Sequence, residues 1–248
     1  MALIEEMEDQ GNFLFKYRSN LPLVILVLGL GVFVYNKITG VESYGDSYWF
    51  VCLAVGLAGL LVRIYTVGHT PANTSGRNTD QGQLADELNT TGIYSTVRHP
   101  LYLGNFLMWL GVGMLAENTW FIVAFTFMYW VYYERIMFAE EAFLRRKFGN
   151  IYLDWAAQTP AFIPSLKKFK SAKYPFSIKK VLKKEKNGVA ALFGLFWIFE
   201  VVGNYLENGE TFEIEKSFWF YAFVASTIFY FIFKIIKSKT TILDEEGR

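Results

Sequence analysis

Two residues whose side chains can hold an anion, Arg98 and His99, stand directly before Pro100 and a long apolar run. Proline is favoured at the first position of a helix, so the sequence predicts a helix that begins at Pro100 with both polar side chains at its N-terminus. Backbone N–H groups and the helix dipole make such an end suitable for a carboxylate or a phosphate. The pattern therefore predicts an anion-binding cluster at the mouth of an apolar helix.

Two adjacent carboxylates, Glu140 and Glu141, follow the next apolar run. Neighbouring residues on a helix point about 100° apart, so we expect only one of the two to face a given site. Tyr102 and Tyr152 lie on either side of this pair in the chain and offer aromatic faces. Carboxylates and aromatic faces both attract cations, so this second cluster suits a positively charged ligand.

The motifs follow one another between residues 92 and 164: Arg-His-Pro, Tyr-x-Gly, a Glu pair, Phe-Gly, a tyrosine and a late proline. In order and spacing this stretch resembles the integral-membrane methyltransferases, which include isoprenylcysteine carboxyl methyltransferase and the phospholipid methyltransferases. The resemblance implies S-adenosylmethionine (SAM) as the methyl donor. It also implies a cofactor site formed by Arg98, His99, Tyr102, Gly104, Glu140, Glu141 and Tyr152.

Methyl transfer from a sulfonium is an in-line displacement, for which the protein must mainly orient the reactants in a dry electrostatic site. A carboxylate or phosphate acceptor is already anionic and needs a cation to hold it, for which the candidates are Arg98, Arg77 and His69. We therefore expect a lipophilic acceptor that is methylated on a carboxylate or phosphate oxygen. The alternative is N-methylation of a phospholipid amine, with Glu140 or Glu141 as the base.

The prenylcysteine enzymes of the family carry a tyrosine near the position of Trp155 and a basic residue near that of Gln158, and this chain has neither. Methyl transfer is therefore better supported than a prenylcysteine acceptor. Two other classes remain open at this stage. One is a membrane reductase that uses a nicotinamide cofactor on a related helical core, and the other is a transporter or scaffold without enzymatic activity.

Hydrophobic residues make up 53% of the 248 residues and occur in blocks long enough to cross a bilayer, which takes about 20 helical residues. The charges, which sum to a formal +1, lie between the blocks. We expect an all-α, polytopic membrane helical bundle with about six transmembrane helices and a cytoplasmic cofactor pocket. The expected spans are Leu21 to Tyr35, Tyr48 to Val67, Leu101 to Ala116, Trp120 to Met137, Val189 to Leu206 and Ser217 to Ile236.

The spans divide the chain into three parts: membrane helices and a polar loop at 1–91, a methyltransferase core at 92–166, and a basic tract with a C-terminal helix pair at 167–248. We expect residues 1–20 to be a solvated lead-in without a cleaved leader. Arg63 is expected to extend to the membrane interface, and the alternative is a cation that lines a polar cavity. The lone Cys52 is expected to fill apolar space, and no metal site is predicted.

Nine lysines lie between Lys167 and Lys186, next to the membrane spans. We expect this tract to bind anionic lipid, at about 1 kcal/mol per lysine, and not nucleic acid. The positive-inside rule then places the tract and the polar loop at 68–91 on the cytoplasmic face, opposite the acidic loop that follows Leu206. The protein is therefore expected to be a multi-pass integral membrane protein with both termini in the cytoplasm.

Overall fold

A computed structural model describes residues 2–18, 21–41, 43–74, 78–79, 82–209, 211–212 and 214–247. Within these residues the chain forms eight α-helices, two short 3-10 helices and one pair of two-residue strands, Asn78–Thr79 (β1) and Gly82–Gln83 (β2). The α-helices are α1 (Leu3–Lys16), α2 (Leu21–Ile38), α3 (Asp46–His69), α4 (Pro100–Met114), α5 (Thr119–Phe148), α6 (Asn150–Ala156), α7 (Ile178–Glu207) and α8 (Phe218–Lys239). Apart from the small strand pair, the predicted all-helical class is confirmed.

Each of the six predicted spans corresponds to one helix, namely α2, α3, α4, α5, α7 or α8. Three of these, α3, α7 and α8, are long and apolar enough to cross a membrane, and residues Pro22–Ile38 of α2 form a shorter apolar helix. Helix α4 has 15 residues, and α5 mixes apolar residues with tyrosines and charged groups. The helices are thus confirmed, while six crossings stay a prediction.

Helices α3 and α4 cross with their backbones in contact. A Cβ atom added to Gly59 would lie 2.5 Å from the carbonyl oxygen of Gly104 and 2.6 Å from the amide nitrogen of Met108. A Cβ atom added to Gly111 would lie 2.6 Å from the carbonyl oxygen of Cys52. Small residues permit such close approach in membrane helix pairs. The crossing fixes α4, which carries the Arg-His-Pro motif, against α3.

The C-terminal helix pair shares a core with α2, α3 and the end of α4. Phe33 of α2, Cys52 of α3, Leu115 at the end of α4, Phe196 of α7 and Trp219 of α8 are buried in one apolar cluster. Cys52 is fully buried there and fills apolar space, as predicted. Helices from all three parts of the chain therefore share one core.

The N-terminal residues form a packed helix, so the prediction of a solvated lead-in is wrong. Helix α1 lies along α5 so closely that a Cβ atom on Gly11 would be 2.1 Å from the carbonyl oxygen of Arg135. Phe15 is buried in the same interface, and the hydroxyl of Tyr132 donates to the carbonyl oxygen of Leu14 at 3.2 Å. Gly11 and Phe15 are four residues apart and share one helix face. Two residues are too few to form an apolar pattern from which burial could be predicted.

Two lysines of the basic tract are buried, which corrects the prediction that the whole tract binds lipid. Lys180 donates from Nζ to the carbonyl oxygens of Thr70 at 2.5 Å and Pro71 at 2.9 Å. Lys186 donates to the carbonyl oxygen of Lys183 at 2.7 Å. The binding of anionic lipid stays a prediction for the exposed lysines, such as Lys179.

Replacing Lys180 with alanine is expected to lower the apparent melting temperature by several degrees. The change leaves the carbonyl groups of Thr70 and Pro71 without a charged donor, at a loss of about 1 to 3 kcal/mol. Lys179→Ala is the matched control because its side chain is exposed one residue away. Thermal unfolding of the two variants in the same detergent measures the difference, and equal melting temperatures would contradict the structural role.

Candidate active site

The backbone of the Arg-His-Pro motif is held by the segment that contains the late prolines. The amide of Arg98 donates to the carbonyl oxygen of Pro160 at 2.8 Å, and that of His99 donates to the carbonyl oxygen of Ala161 at 3.1 Å. Pro100 begins α4, as predicted, with His99 as its N-cap. These two amides are therefore used inside the protein, and the side chains of Arg98 and His99 are the groups left to contact a ligand.

His99 lies between the two adjacent glutamates, and its side chain is 5% exposed. Its Nε2 is 2.8 Å from Oε1 of Glu141, and its Nδ1 is 3.6 Å from Oε2 of Glu140. The hydroxyl of Tyr102 donates to Oε2 of Glu140 at 2.9 Å. Both glutamates therefore face the same site, and the expectation that only one would do so is wrong. The two glutamates point in different directions from the helix, but the two nitrogen atoms of the His99 ring reach one carboxylate each.

The three groups shift one another's protonation. Burial alone would lower the pKa of the His99 imidazole, but hydrogen bonds and charges from Glu140 and Glu141 outweigh it, and the pKa is raised. Burial alone would raise the pKa of each carboxyl, but the hydrogen bond and charge of His99 outweigh it, and both pKa values are lowered. The geometry and the directions of these shifts favour an imidazolium between two carboxylates.

The sign of each shift gives the pH range in which the cluster stabilises the fold. The raised pKa of His99 contributes stability that is complete below its ordinary value of 6.5 and is lost as the pH rises through the raised value. The lowered pKa values of Glu140 and Glu141 contribute stability that is complete above 4.5 and is lost as the pH falls through the lowered values. The contribution is therefore largest in mildly acidic to neutral conditions.

A cavity of about 300 Å³ opens beside this cluster. Six of the predicted site residues line it, namely Arg98, His99, Tyr102, Glu140, Glu141 and Tyr152. They come from the loop before α4, from α4 itself, and from α5 and α6. A site of this size, with a few convergent polar groups, is typical of small-ligand pockets.

Three polar atoms on the cavity wall are buried and have no hydrogen-bond partner among the described residues. They are Oε1 of Gln83, Nε of Arg98 and the hydroxyl of Tyr152. Arg98 Nε lies 3.0 Å from Oε1 of Glu141 as an ion pair, but its N–H is not directed at that oxygen. Burial raises the pKa of Tyr152, so its hydroxyl stays protonated and is a donor. Buried polar groups are normally paired, so these atoms mark where a polar ligand fits.

Two predicted site residues, His69 and Gly104, lie elsewhere, and a third is outside the part of the chain that the structure describes. The ring of His69 packs against Tyr65 and Phe176, and its Nδ1 is 2.9 Å from the carbonyl oxygen of Tyr174. This histidine lines a second cavity, of about 110 Å³. Gly104 lies in the crossing of α3 and α4, because a Cβ there would be 2.9 Å from the carbonyl oxygen of Gly59. Arg77 lies outside the described residues.

The expectation that Arg63 extends to the membrane interface is wrong, and the alternative of a cavity cation holds. Arg63 lines the cavity and pairs with Glu185, whose side chain is 3% exposed. A cation inside a membrane span is by default a candidate functional residue. This property of Arg63 was the sequence signal that could have predicted its place in the cavity. Other cavity residues that were not predicted are Arg18, Gln83, Asn105 and Phe143. Asn105 directly follows Gly104 of the Tyr-x-Gly motif, so its position offered a signal as well.

Comparison with known proteins places the chain in a family. The family model described as phospholipid methyltransferase matches residues 47–151. The nickel-cobalt-cadmium resistance protein NccN of Alcaligenes xylosoxydans xylosoxydans is 33% identical over 164 residues, which cover 64% of this chain and 70% of that protein. The protein-S-isoprenylcysteine O-methyltransferase of Schizosaccharomyces pombe is 38% identical over 77 residues, which cover 31% of this chain and 33% of that protein. The chain belongs to the integral-membrane methyltransferases.

A second relative of similar coverage is, like NccN, named for metal resistance. The cobalt-zinc-cadmium resistance protein CzcN of Cupriavidus metallidurans is 30% identical over 157 residues, which cover 62% of this chain and 67% of that protein. No solved structure matches the chain. The family favours a methyltransferase over the reductase, transporter and scaffold alternatives, because its model and several relatives are named as methyltransferases.

Proposed function

We propose that this membrane methyltransferase transfers a methyl group from SAM to a lipophilic acceptor in the cavity beside His99. The observation that carries the proposal is the set of unpaired buried atoms on Gln83, Arg98 and Tyr152, which line the same cavity as Glu140 and Glu141. Donors and carboxylates are thus available together. SAM carries both a carboxylate and cationic groups, so this donor set fits it.

Each wall residue has a defined task in this proposal. The Nε–H of Arg98 and the hydroxyl of Tyr152 donate to the carboxylate of the cofactor. Glu140 and Glu141 attract its cationic groups, and His99 keeps both carboxylates ionised. The aromatic rings of Tyr94 and Trp155 also line the cavity and attract a sulfonium. SAM, when bound, supplies a methyl group on a carbon that the sulfonium already activates.

The acceptor is proposed to be a lipid-borne carboxylate or phosphate that is methylated on oxygen. Such an oxyanion needs no general base, and the site offers a poor one. Hydrogen bonds and charge from His99 hold the pKa values of Glu140 and Glu141 below their ordinary range, despite burial. A carboxylate with a lowered pKa is a weak base, so it is badly suited to deprotonate an ammonium group.

N-methylation of a phospholipid amine is the second candidate, and the name of the matching family model, phospholipid methyltransferase, favours it. An amine must lose its proton before it attacks, so its methylation speeds up as the pH rises, whereas that of an acid anion does not. The pH profile of turnover therefore separates the two candidates.

The topology completes the proposal. The protein is proposed to cross the membrane several times with both termini in the cytoplasm, so that SAM enters from the cytoplasm and the acceptor from the bilayer. The exposed lysines between Lys167 and Lys186 are proposed to lie on anionic lipid at that surface. Arg77 stays a candidate cation of the acceptor site.

The test is to incubate the purified protein with radiolabelled SAM and total membrane lipid and to identify the labelled product. A labelled methyl ester of an acidic lipid, formed without a steep increase in rate at alkaline pH, is expected. A labelled amine lipid with a rate that rises toward pH 10 would establish N-methylation instead. Glu141→Gln is the control, because it removes a cofactor contact and should abolish most of the labelling.

A further inference from the structure

A charged cluster lies at the wall of the cavity away from His99. Arg63 of α3 donates from Nε and from Nη2 to the two carboxylate oxygens of Glu185 of α7, each at 2.8 Å. It also donates from Nη1 to the side-chain oxygen of Asn105 of α4. Three helices therefore fix the position and the plane of one guanidinium group, which is the geometry of a bidentate arginine–carboxylate pair.

The guanidinium has donors to spare on its cavity side. It carries five N–H groups, and these contacts use three, which leaves one on each Nη atom. Arg63 and Asn105 line the cavity, whereas Glu185 is buried behind Arg63 and outside the cavity wall. Glu185 also makes a buried cation tolerable, because an unpaired charge at this depth is strongly unfavourable.

The cluster lies deeper among the apolar helices than the glutamates do. Asn105 is three residues beyond Tyr102 on α4, so it is about 4.5 Å farther along the helix axis from the motif at its N-terminus. Tyr102 contacts Glu140, whereas Asn105 contacts Arg63. The cavity thus has an outer end, at His99 and the glutamates, and an inner end, at Arg63 and Asn105.

We propose that Arg63 and Asn105 bind the oxyanion of the methyl acceptor, a carboxylate or phosphate on a lipid, and that Glu185 is a positioning residue that orients Arg63. This inference rests on the proposed function, in which SAM occupies the outer end. An acceptor whose apolar tail lies among the helices presents its charged end to the inner wall. The outer and inner ends then place the two reacting groups in one cavity.

The chemical balance of the step is simple. An oxygen lone pair of the acceptor forms a bond to the methyl carbon while the carbon–sulfur bond breaks, and its electron pair remains on sulfur. No proton is transferred, and the products are a methyl ester and a neutral thioether. The acceptor loses one negative charge in this step. Its attraction to Arg63 therefore falls once the methyl group has been transferred, which favours release of the product.

The test compares the double variant Arg63→Gln with Glu185→Gln against the single variant Glu185→Gln. The double change removes the cation and its partner together, so no unpaired charge remains buried. The single change keeps the cation and removes only its orientation. Each protein is assayed with three separate probes in vesicles: an S-prenylated cysteine with a free carboxylate, phosphatidic acid, and phosphatidylethanolamine. SAM affinity is measured by calorimetry on the same preparations.

In the double variant, kcat/KM on the anionic probe that the wild type methylates is expected to fall at least tenfold, while SAM affinity stays within twofold. Glu185→Gln is expected to raise KM on that probe by a smaller factor, and Glu185→Asp is expected to restore part of it. The carboxylate and phosphate probes distinguish the two sources of the oxyanion. A pure loss of structure would instead lower SAM affinity and turnover together.

Two results overturn the inference while methyl transfer from SAM to a lipid still stands, although the second of them replaces O-methylation with N-methylation. One is a double variant that binds SAM and methylates the anionic probe as well as the wild type does. The other is a wild type that methylates phosphatidylethanolamine alone. A wild type that binds no SAM and labels none of the three probes overturns the proposed function, and the inference with it.

Discussion

Replacing His99 with alanine is expected to weaken SAM binding by a factor of about 10 to 150. The imidazolium keeps Glu140 and Glu141 ionised side by side, and its loss leaves two half-buried carboxylates that repel each other. One of them then takes up a proton and no longer attracts a cation. Loss of a charge-assisted contact of this kind amounts to about 1.5 to 3 kcal/mol, which gives the stated factor.

The control is Arg146→Ala on α5, the helix that carries Glu140 and Glu141. Arg146 pairs with Glu8 at the surface and is 61% exposed, so its contribution is expected to be small. His99→Gln is a second variant that retains a neutral hydrogen-bond donor and preserves the fold if alanine does not. Calorimetry with SAM measures all three proteins. Wild-type affinity in both His99 variants would remove this residue from the cofactor site.

Replacing Gly59 with alanine is expected to lower both the melting temperature and the turnover, the latter more than tenfold. The new Cβ would meet the carbonyl oxygen of Gly104 at 2.5 Å and the amide nitrogen of Met108 at 2.6 Å, and both belong to the backbone. Neither atom can rotate away, so α3 and α4 must separate. Overpacking of this kind costs about 1 to 3 kcal/mol. Separation also moves Arg63, which lies one turn from Gly59, away from Asn105, which directly follows Gly104.

Gly31→Ala is the control for the change from glycine to alanine. Gly31 also lies inside a helix, α2, but a Cβ there meets nothing within 4 Å. Alanine is the better helix former by about 1 kcal/mol, so this variant is expected to melt at the same or a higher temperature. Thermal unfolding and methyl transfer are measured for both proteins. An unchanged Gly59→Ala variant would mean that the two helices are more loosely packed than the structure has them.

The sequence predicted the helices well because apolar blocks of membrane length are a strong local signal. Helix α3 was expected at Tyr48 to Val67 and runs from Asp46 to His69. Helix α7 was expected to begin at Val189 and begins at Ile178 instead, because Ser177 caps it through a hydrogen bond to the amide of Lys180. Lysine is a good helix former, so the second half of the basic tract forms the first turns of α7.

The candidate-site residues that belong to short sequence motifs were predicted. Those whose role depends on contacts between distant segments were missed. Arg98, His99, Glu140 and Glu141 came from the order and spacing of short motifs, and all four line one cavity. The role of Arg63 depends on Glu185, which is 122 residues away on another helix. The residue pattern of neither helix indicates this pairing. The sequence was therefore consistent both with Arg63 at the membrane interface and with Arg63 in a cavity.

The unpaired atoms of Gln83, Arg98 and Tyr152 also make the thermal stability of the protein depend on its ligand. Each buried polar atom without a partner lowers the free energy of unfolding by about 1 to 3 kcal/mol. These three atoms at the cavity wall therefore destabilise the ligand-free fold. A ligand that binds only the folded chain adds about 2.7 kcal/mol at 100 times its dissociation constant. We therefore expect the ligand-free protein to unfold at a lower temperature than the protein with a ligand bound in this cavity.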